Sequence, residues 1–357
     1  MYKSIQGCRS LAALLVVLHH LGGALASSKY FGAPLFAVPF VAGDAGVEFF
    51  FVLSGFIITW AHFNDLGRPT LVLKYLRKRM VRIYPTYWII FAIVYLLAQA
   101  SPTLRSTVPH DYTTLFKSLA LVPQDPSVSG GTGAPVLIVA WSLQYEICFY
   151  ALMAIFIVSR PLGILVSVAL LVNLGMCQAV TCSFPRTFFS NNLILLFGLG
   201  ALIAYFSRRS IRIKRPMIVA LCAATAFLLY GVFEAVVGKG ALPVDRRLVY
   251  GLISGALIFA LVHAEAGGQL RINNGWMSLL GDSSYSLYLI HYPLISALCK
   301  LMIFIGLAGS LGAAAAYPVI LCACILTSVG FYLLMEKPIL RALSPRAATI
   351  RLVHGLP

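Results

Sequence analysis

The sequence predicts an all-α integral membrane protein of about ten transmembrane helices, with both termini cytoplasmic. Three observations carry this. Apolar runs near 20 residues, the length that crosses roughly 30 Å of hydrocarbon, recur along the whole chain. Of the 357 residues, 60% are hydrophobic and 11% charged, more apolar surface than a water-soluble fold can bury. The 27 Lys and Arg, against 11 Asp and Glu, gather in short clusters between the apolar runs, as in the inner loops of membrane proteins. That clustering also argues against nucleic acid as a partner.

The runs fall at about 8–27, 43–63, 84–100, 136–158, 161–180, 187–206, 217–236, 247–266, 283–304 and 310–335. The first lacks a small-residue cleavage site and carries Arg9 and two histidines, so it reads as a retained span rather than a signal peptide. Arg9 and His20 are eleven residues apart, about 1100° of helical rotation, so they share one face some 16 Å apart along the axis. His19 points elsewhere. The second span carries Asp44 and Glu48 near its outer end, ahead of Phe49–Phe56 with Ser54. Asp44 reads as an ordinary interfacial residue; Glu48 is harder to dismiss.

The stretch from Lys74 to Pro85 is the densest basic cluster. Its plain reading is topogenic charge in contact with anionic membrane lipid. Arg79 and Arg82, three apart on one helical face, can also clamp phosphates bidentately. The segment 101–135, external on this topology, is rich in Pro, Ser, Thr and Gly and contains an apolar patch from Leu115 to Val122 that reads as a short interfacial helix. It is either a solvated connector or a lid and acceptor-binding surface.

Glu146 sits in the middle of the fourth span, and Tyr288 and His291 lie in the ninth. Each buried ionisable residue costs about 2.5–3.5 kcal/mol on the insertion scale, so each asks for a partner. Two histidines and a carboxylate at similar depths fit a polar chamber, where a histidine oriented by a carboxylate takes a proton from a hydroxyl. The plainer alternative is hydrogen bonding between facing helices. Lys300 lies close enough to a helix end to snorkel. Cys177 and Cys182 are near neighbours at an outer loop, and their pairing is left open; no cysteine spacing suits zinc.

With the N-terminus inside, 19 basic residues, including Arg212, Arg346 and Arg351, fall in inner segments and seven in outer ones; Lys300 is within a span. The bias favours an even number of spans and both termini inside. One membrane domain, 1–340, is followed by a short cytoplasmic tail, 341–357, and no internal repeat is visible.

Taken in order, several stretches resemble the acyltransferase-3 family of bacterial membrane O-acyltransferases, especially its exopolysaccharide-decorating members. They are Ile5-Gln6 through His20, Gly46-Val47-Glu48 through Phe56, Arg79-x-x-Arg82 with Ile83 and Pro85, and Trp141-Ser142-Leu143 with Glu146. Tyr285-Ser286-Leu287-Tyr288 with His291 and Pro293 follows, and Glu336-Lys337-Pro338 closes the series. The resemblance implies a multi-pass protein of the bacterial cytoplasmic (inner) membrane. It implies transfer of an acyl group, usually acetyl, from cytoplasmic acyl-CoA to a hydroxyl of a glycan or glycolipid. Acetyl-CoA is then the donor, and no metal is expected. His20 matches the family's essential histidine, Arg9 its paired arginine, and Arg79 and Arg82 the arginines assigned to CoA phosphates. Cys8 and Tyr145 depart from the usual pattern, the latter leaving the role of Glu146 open. On this reading His20, Glu146 and Arg9 are catalytic, and Arg79, Arg82, Glu48, Ser54, Tyr288 and His291 bind substrate. A glycan or lipid transporter or flippase also explains intramembrane charge, but not a basic loop beside a deep histidine. Homo-oligomerisation is left open.

Overall fold

The computed structural model describes residues 2–209, 213–271 and 275–343. Arg212, Arg346, Arg351 and the rest of the tail from 344 onward lie outside the described residues.

Every predicted span is a helix. The long helices begin with α1 (Lys3–Ala26), α2 (Gly46–His62) and α3 (Val72–Ala100). Three short helices follow: α4 (Pro102–Arg105), α5 (Tyr112–Leu119) and α6 (Pro126–Ser129). Then come α7 (Trp141–Val158), α8 (Arg160–Ala179), α9 (Leu193–Arg208), α10 (Pro216–Val237) and α11 (Arg246–Ala266). The chain continues through α12 (Gly275–Asp282), α13 (Ser284–Phe304), α14 (Gly309–Phe331) and α15 (Lys337–Leu343), with a π-helical turn at Tyr332–Glu336. The predicted domain boundary at residue 340 falls inside α15. Among the described residues there is no strand.

Among the described residues nine helices are long and apolar enough to cross a membrane. The exception among the ten predicted spans is α9, whose 16 residues extend about 24 Å, short of the roughly 30 Å of hydrocarbon. It packs closely on α2 through two glycines. A Cβ on Gly55 would meet the Phe197 carbonyl oxygen at 2.2 Å, and one on Gly200 would meet that of Val52 at 1.9 Å. Small residues of this kind let helix backbones approach where lipid provides no hydrophobic drive. At the periphery, α8 buries only Gly163 and turns large apolar side chains such as Leu165 and Val172 outward, as a lipid-facing helix does.

Helix α3 starts twelve residues before the predicted span. Its basic first half suits a helix but not hydrocarbon, so hydropathy registers only the part from Tyr84 onward. The connection after α3 is not a solvated linker, and it doubles back along the helix. Tyr84 Oη donates to the Ala120 carbonyl (2.8 Å), Tyr87 Oη to that of Ser118 (2.7 Å) and Trp88 Nε1 to that of Leu119 (3.0 Å). These ring donors lie 12–16 residues before Ala100, so the segment returns about 18–24 Å along α3. The apolar patch forms α5, N-capped by Asp111, whose Oδ1 accepts from the Thr114 N–H at 2.7 Å.

Several ends meet on one face of the bundle. Glu265, closing α11, accepts from the N–H groups of Lys3 and Ser4 that begin α1, groups a helix cannot satisfy internally. Tyr2 packs on Trp60, whose carbonyl accepts from Arg208 Nη2 at 2.7 Å. Arg82 reaches Glu336. Both ends of the described chain therefore lie on this basic face. At the opposite end Asp44 is not an ordinary interfacial residue: it accepts from Lys239 Nζ (2.7 Å) and from both terminal nitrogens of Arg246. Arg246 also binds Glu234, which accepts from Tyr250 Oη at 2.8 Å. The Cys177–Cys182 bond, left open by the sequence, is formed near the same end.

Candidate functional site

Six of the nine predicted site residues line one cavity of about 190 Å³ between α1, α2, α3, α7 and α13: Arg9, Ser54, Arg79, Arg82, Glu146 and Tyr288. Phe50, Phe51 and Ile57 supply apolar wall. Arg79 and Arg82 also line a second, basic depression of about 270 Å³ with Arg77, Lys78 and the α15 residues Leu340 and Leu343. The two arginines thus stand where a surface-facing basic pocket meets an interior chamber.

The arginines differ in their partners. Arg82 Nη1 donates to Glu336 Oε1 at 2.6 Å, and Ser286 Oγ donates to the other oxygen of the same, fully buried carboxylate. The π-helical turn carries that carboxylate, an irregularity often found at functional positions. Arg79 lies over the rings of Tyr75 and Tyr150, 5.9 and 5.7 Å from their centroids, and its Nη2 is 3.5 Å from His62 Nε2. Arg9 Nη1 donates to Gln6 Oε1 (3.3 Å), and Gln6 Nε2 donates to Asp282 Oδ1 (2.8 Å).

The structure does not bring Glu146 to His20. Glu146 faces the arginine cavity and accepts from Tyr150 Oη at 2.6 Å. The group beside His20 is His291, with Nε2 3.2 Å from His20 Nδ1. His291 Nδ1 lies 3.0 Å from the Leu287 carbonyl, and His20 Nδ1 lies 3.0 Å from that of Val16. Neutral tautomers satisfy all three contacts if both rings carry their proton on Nδ1. His291 Nε2 then accepts from His20, and His20 Nε2 keeps a free lone pair. The ring of Tyr292 meets His20 edge to face at 5.3 Å. His19, as expected, is separate: its Nδ1 lies 3.0 Å from the Phe40 carbonyl.

Tyr288 belongs to both regions. It lines the cavity, its ring is 5.8 Å from that of His291, and its hydroxyl lies 2.8 Å from Ser142 Oγ and donates to the Val139 carbonyl. Glu48 is buried but apart from the cavity; its Oε1 lies 4.0 Å from Arg247 Nε, and its Oε2 is unpartnered. Lys300 is exposed.

Sequence reasoning missed Glu234, although the rule that flagged Glu146 applies equally to a carboxylate in an apolar span. It also missed His62 and Asp65, whose i, i+3 spacing at a helix end was a usable signal. Glu336 was noted only as part of a terminal pattern, because its partner Arg82 is 254 residues away.

The acyltransferase domain of the acyltransferase-3 family matches residues 2–333. The exopolysaccharide production protein ExoZ of Rhizobium meliloti is 32% identical over 315 residues, covering 87% of this chain and 93% of that protein. The acyltransferase MdmB of Streptomyces mycarofaciens is 28% identical, covering 82% of this chain and 78% of its own. The O-acetyltransferase OatA of Staphylococcus aureus is 22% identical over 82% of this chain and 50% of its own length. No solved structure matches.

Proposed function

Because the chain belongs to the acyltransferase-3 family and is an O-acyltransferase, we propose that it moves an acyl group, acetyl in the simplest case, from cytoplasmic acyl-CoA to a hydroxyl of a cell-surface polysaccharide or glycolipid. The observation that carries the mechanism is the hydrogen-bond relay Leu287 carbonyl–His291–His20, which leaves His20 Nε2 as an oriented base. In the reaction His20 Nε2 takes the acceptor hydroxyl's proton as the oxygen attacks the thioester carbonyl carbon. The C–S bond then breaks, and the CoA thiolate takes the proton back from His20. A relay to a carbonyl orients the base without adding negative charge, so His291, rather than Glu146, is assigned the orienting role. Glu146 is assigned to the cavity, where it accepts from the amide N–H groups of a pantetheine arm.

The basic depression at Arg77–Arg82 suits the donor's phosphates, with Arg9 further along the same chamber. Assigning the basic face to the cytoplasm of a bacterial inner membrane is supported by the charge bias and by the disulfide near the opposite end, which suits an oxidising compartment. The acceptor approaches His20 from that opposite side. ExoZ, by its name a protein of exopolysaccharide production, supports a polysaccharide acceptor. The family match favours this enzyme over the transporter reading, which lacks a role for the arginine cavity.

The test is transfer from labelled acetyl-CoA to polysaccharide by the purified full chain in detergent. A folded His20→Ala variant should lose transfer, and wild-type turnover in that variant overturns the mechanism.

A further inference from the structure

We propose that His62 and Asp65 position Arg79 as the cavity's anion-accepting guanidinium, an inference that rests on the acyl-CoA reading above. The two arginines share a helix and a pocket, yet their charges are met differently. Arg82 is committed to Glu336 at 2.6 Å, and that carboxylate is fully buried. Among the described residues no carboxylate oxygen lies within 4.0 Å of Arg79, whose Nε is buried without a partner. Its neighbours are two tyrosine rings and one imidazole.

That imidazole is held from behind. Asp65 Oδ2 lies 2.7 Å from His62 Nδ1, which places the ring proton on Nδ1 and leaves Nε2 to accept from Arg79 Nη2 at 3.5 Å. His62 is 6% exposed and meets Tyr75 edge to face at 4.8 Å. Tyr75 Oη in turn donates to the Tyr150 carbonyl and Tyr150 Oη to Glu146, which holds both rings of the cage. The cage orients the guanidinium without placing a carboxylate on it, and a half-buried cation with no close counter-ion favours binding of an anion. Arg79 therefore takes the diphosphate of a nucleotide-linked thioester, and Arg82 shapes the pocket with most of its charge already spent on Glu336. His62 and Asp65 are positioning residues that act through Arg79.

The experiment measures kcat and the KM for acetyl-CoA in the full chain, with a double-mutant cycle between positions 62 and 79. Removing Arg79 by Arg79→Ala should raise KM by roughly 10–150-fold, as for loss of a charged hydrogen bond. His62→Ala and Asp65→Ala should raise KM by about 3–10-fold with kcat little changed. His62→Gln and Asp65→Asn, which each keep an acceptor oxygen in place, should recover most of it. In the Arg79→Ala background His62→Ala should add nothing. Unchanged KM in His62→Ala, or additive effects, overturns the proposal. Nitrogen-15 NMR of His62 in nanodiscs reads the pair without any donor. Protonation at Nδ1, with an Nε2 resonance that moves in Arg79→Ala, supports it; protonation at Nε2 overturns it. If that signature holds while wild-type protein shows no saturable acetyl-CoA dependence, the donor reading fails and the pair stands.

Discussion

The histidine pair and the arginine cavity meet at Tyr288, yet they satisfy their buried polar groups in opposite ways. At the histidines every hydrogen bond can be closed by neutral groups, ending on main-chain carbonyls of α1 and α13. At the arginines charge dominates, and among the described residues only Arg82 of the three has a close carboxylate partner. A neutral relay suits proton transfer, since a base fixed by an ion pair must also reorganise that charge. An incompletely neutralised cationic chamber suits capture of a phosphorylated donor. The difference teaches that the two halves of the site should fail differently: loss at the histidines as rate, loss at the arginines as donor affinity or as stability.

The largest expected effect is on rate. His20→Ala should lower turnover by about 10²–10⁴-fold, the usual range for a general base, with the protein still monodisperse in detergent. Next is stability. Glu336→Ala leaves the partly buried Arg82 without its counter-charge and should cost about 1.5–3 kcal/mol, seen as a lowered thermal midpoint. Retained stability would show that Arg82 is solvated and that the two arginines are alike. A smaller effect is expected of His291→Ala, which removes one partner of His20 and should slow transfer about 3–10-fold at saturating donor with KM unchanged. The smallest lies outside both regions. Asp111→Ala removes the cap of α5 and should cost about 1 kcal/mol of stability without altering kcat or KM; an altered KM would tie the doubled-back segment to the donor site.

Much of the architecture was legible because lipid imposes a length and a polarity on each span. The ten apolar runs all became helices, including α8 and α9 with their polar interruptions. The limits of α3 were less visible, since Lys74 to Arg82 form a helix without forming hydrocarbon-compatible surface. Of 101–135 only the short helix at the apolar patch was legible; the way the segment folds back on α3 was not. It depends on Tyr84, Tyr87 and Trp88 offering ring donors to main-chain carbonyls, and nothing in either local sequence announces that pairing. At the site, intramembrane charge and helical spacing drew attention to Arg9, Arg79, Arg82 and Glu146, and the family resemblance to Ser54 and Tyr288; the structure gathers these six around one cavity, whereas the expected grouping of Glu146 with the two histidines is not formed. Pairings across helices were beyond reach. Glu146 and His291 were both candidate partners for His20 by depth, and only packing of α13 on α1 separates them. Glu234 and Asp44 share one partner, Arg246, which in the sequence counts only as outer basic charge ahead of the 247–266 run.

The most direct test compares His20→Ala with Arg79→Ala at saturating acetyl-CoA, following labelled acetyl transfer in a single turnover. The account predicts that Arg79→Ala approaches the wild-type rate once donor saturates, whereas His20→Ala remains slow at every donor concentration. Recovery of His20→Ala at high donor, or a rate defect in Arg79→Ala that donor cannot relieve, would contradict the division of the site into a neutral base and a cationic donor pocket.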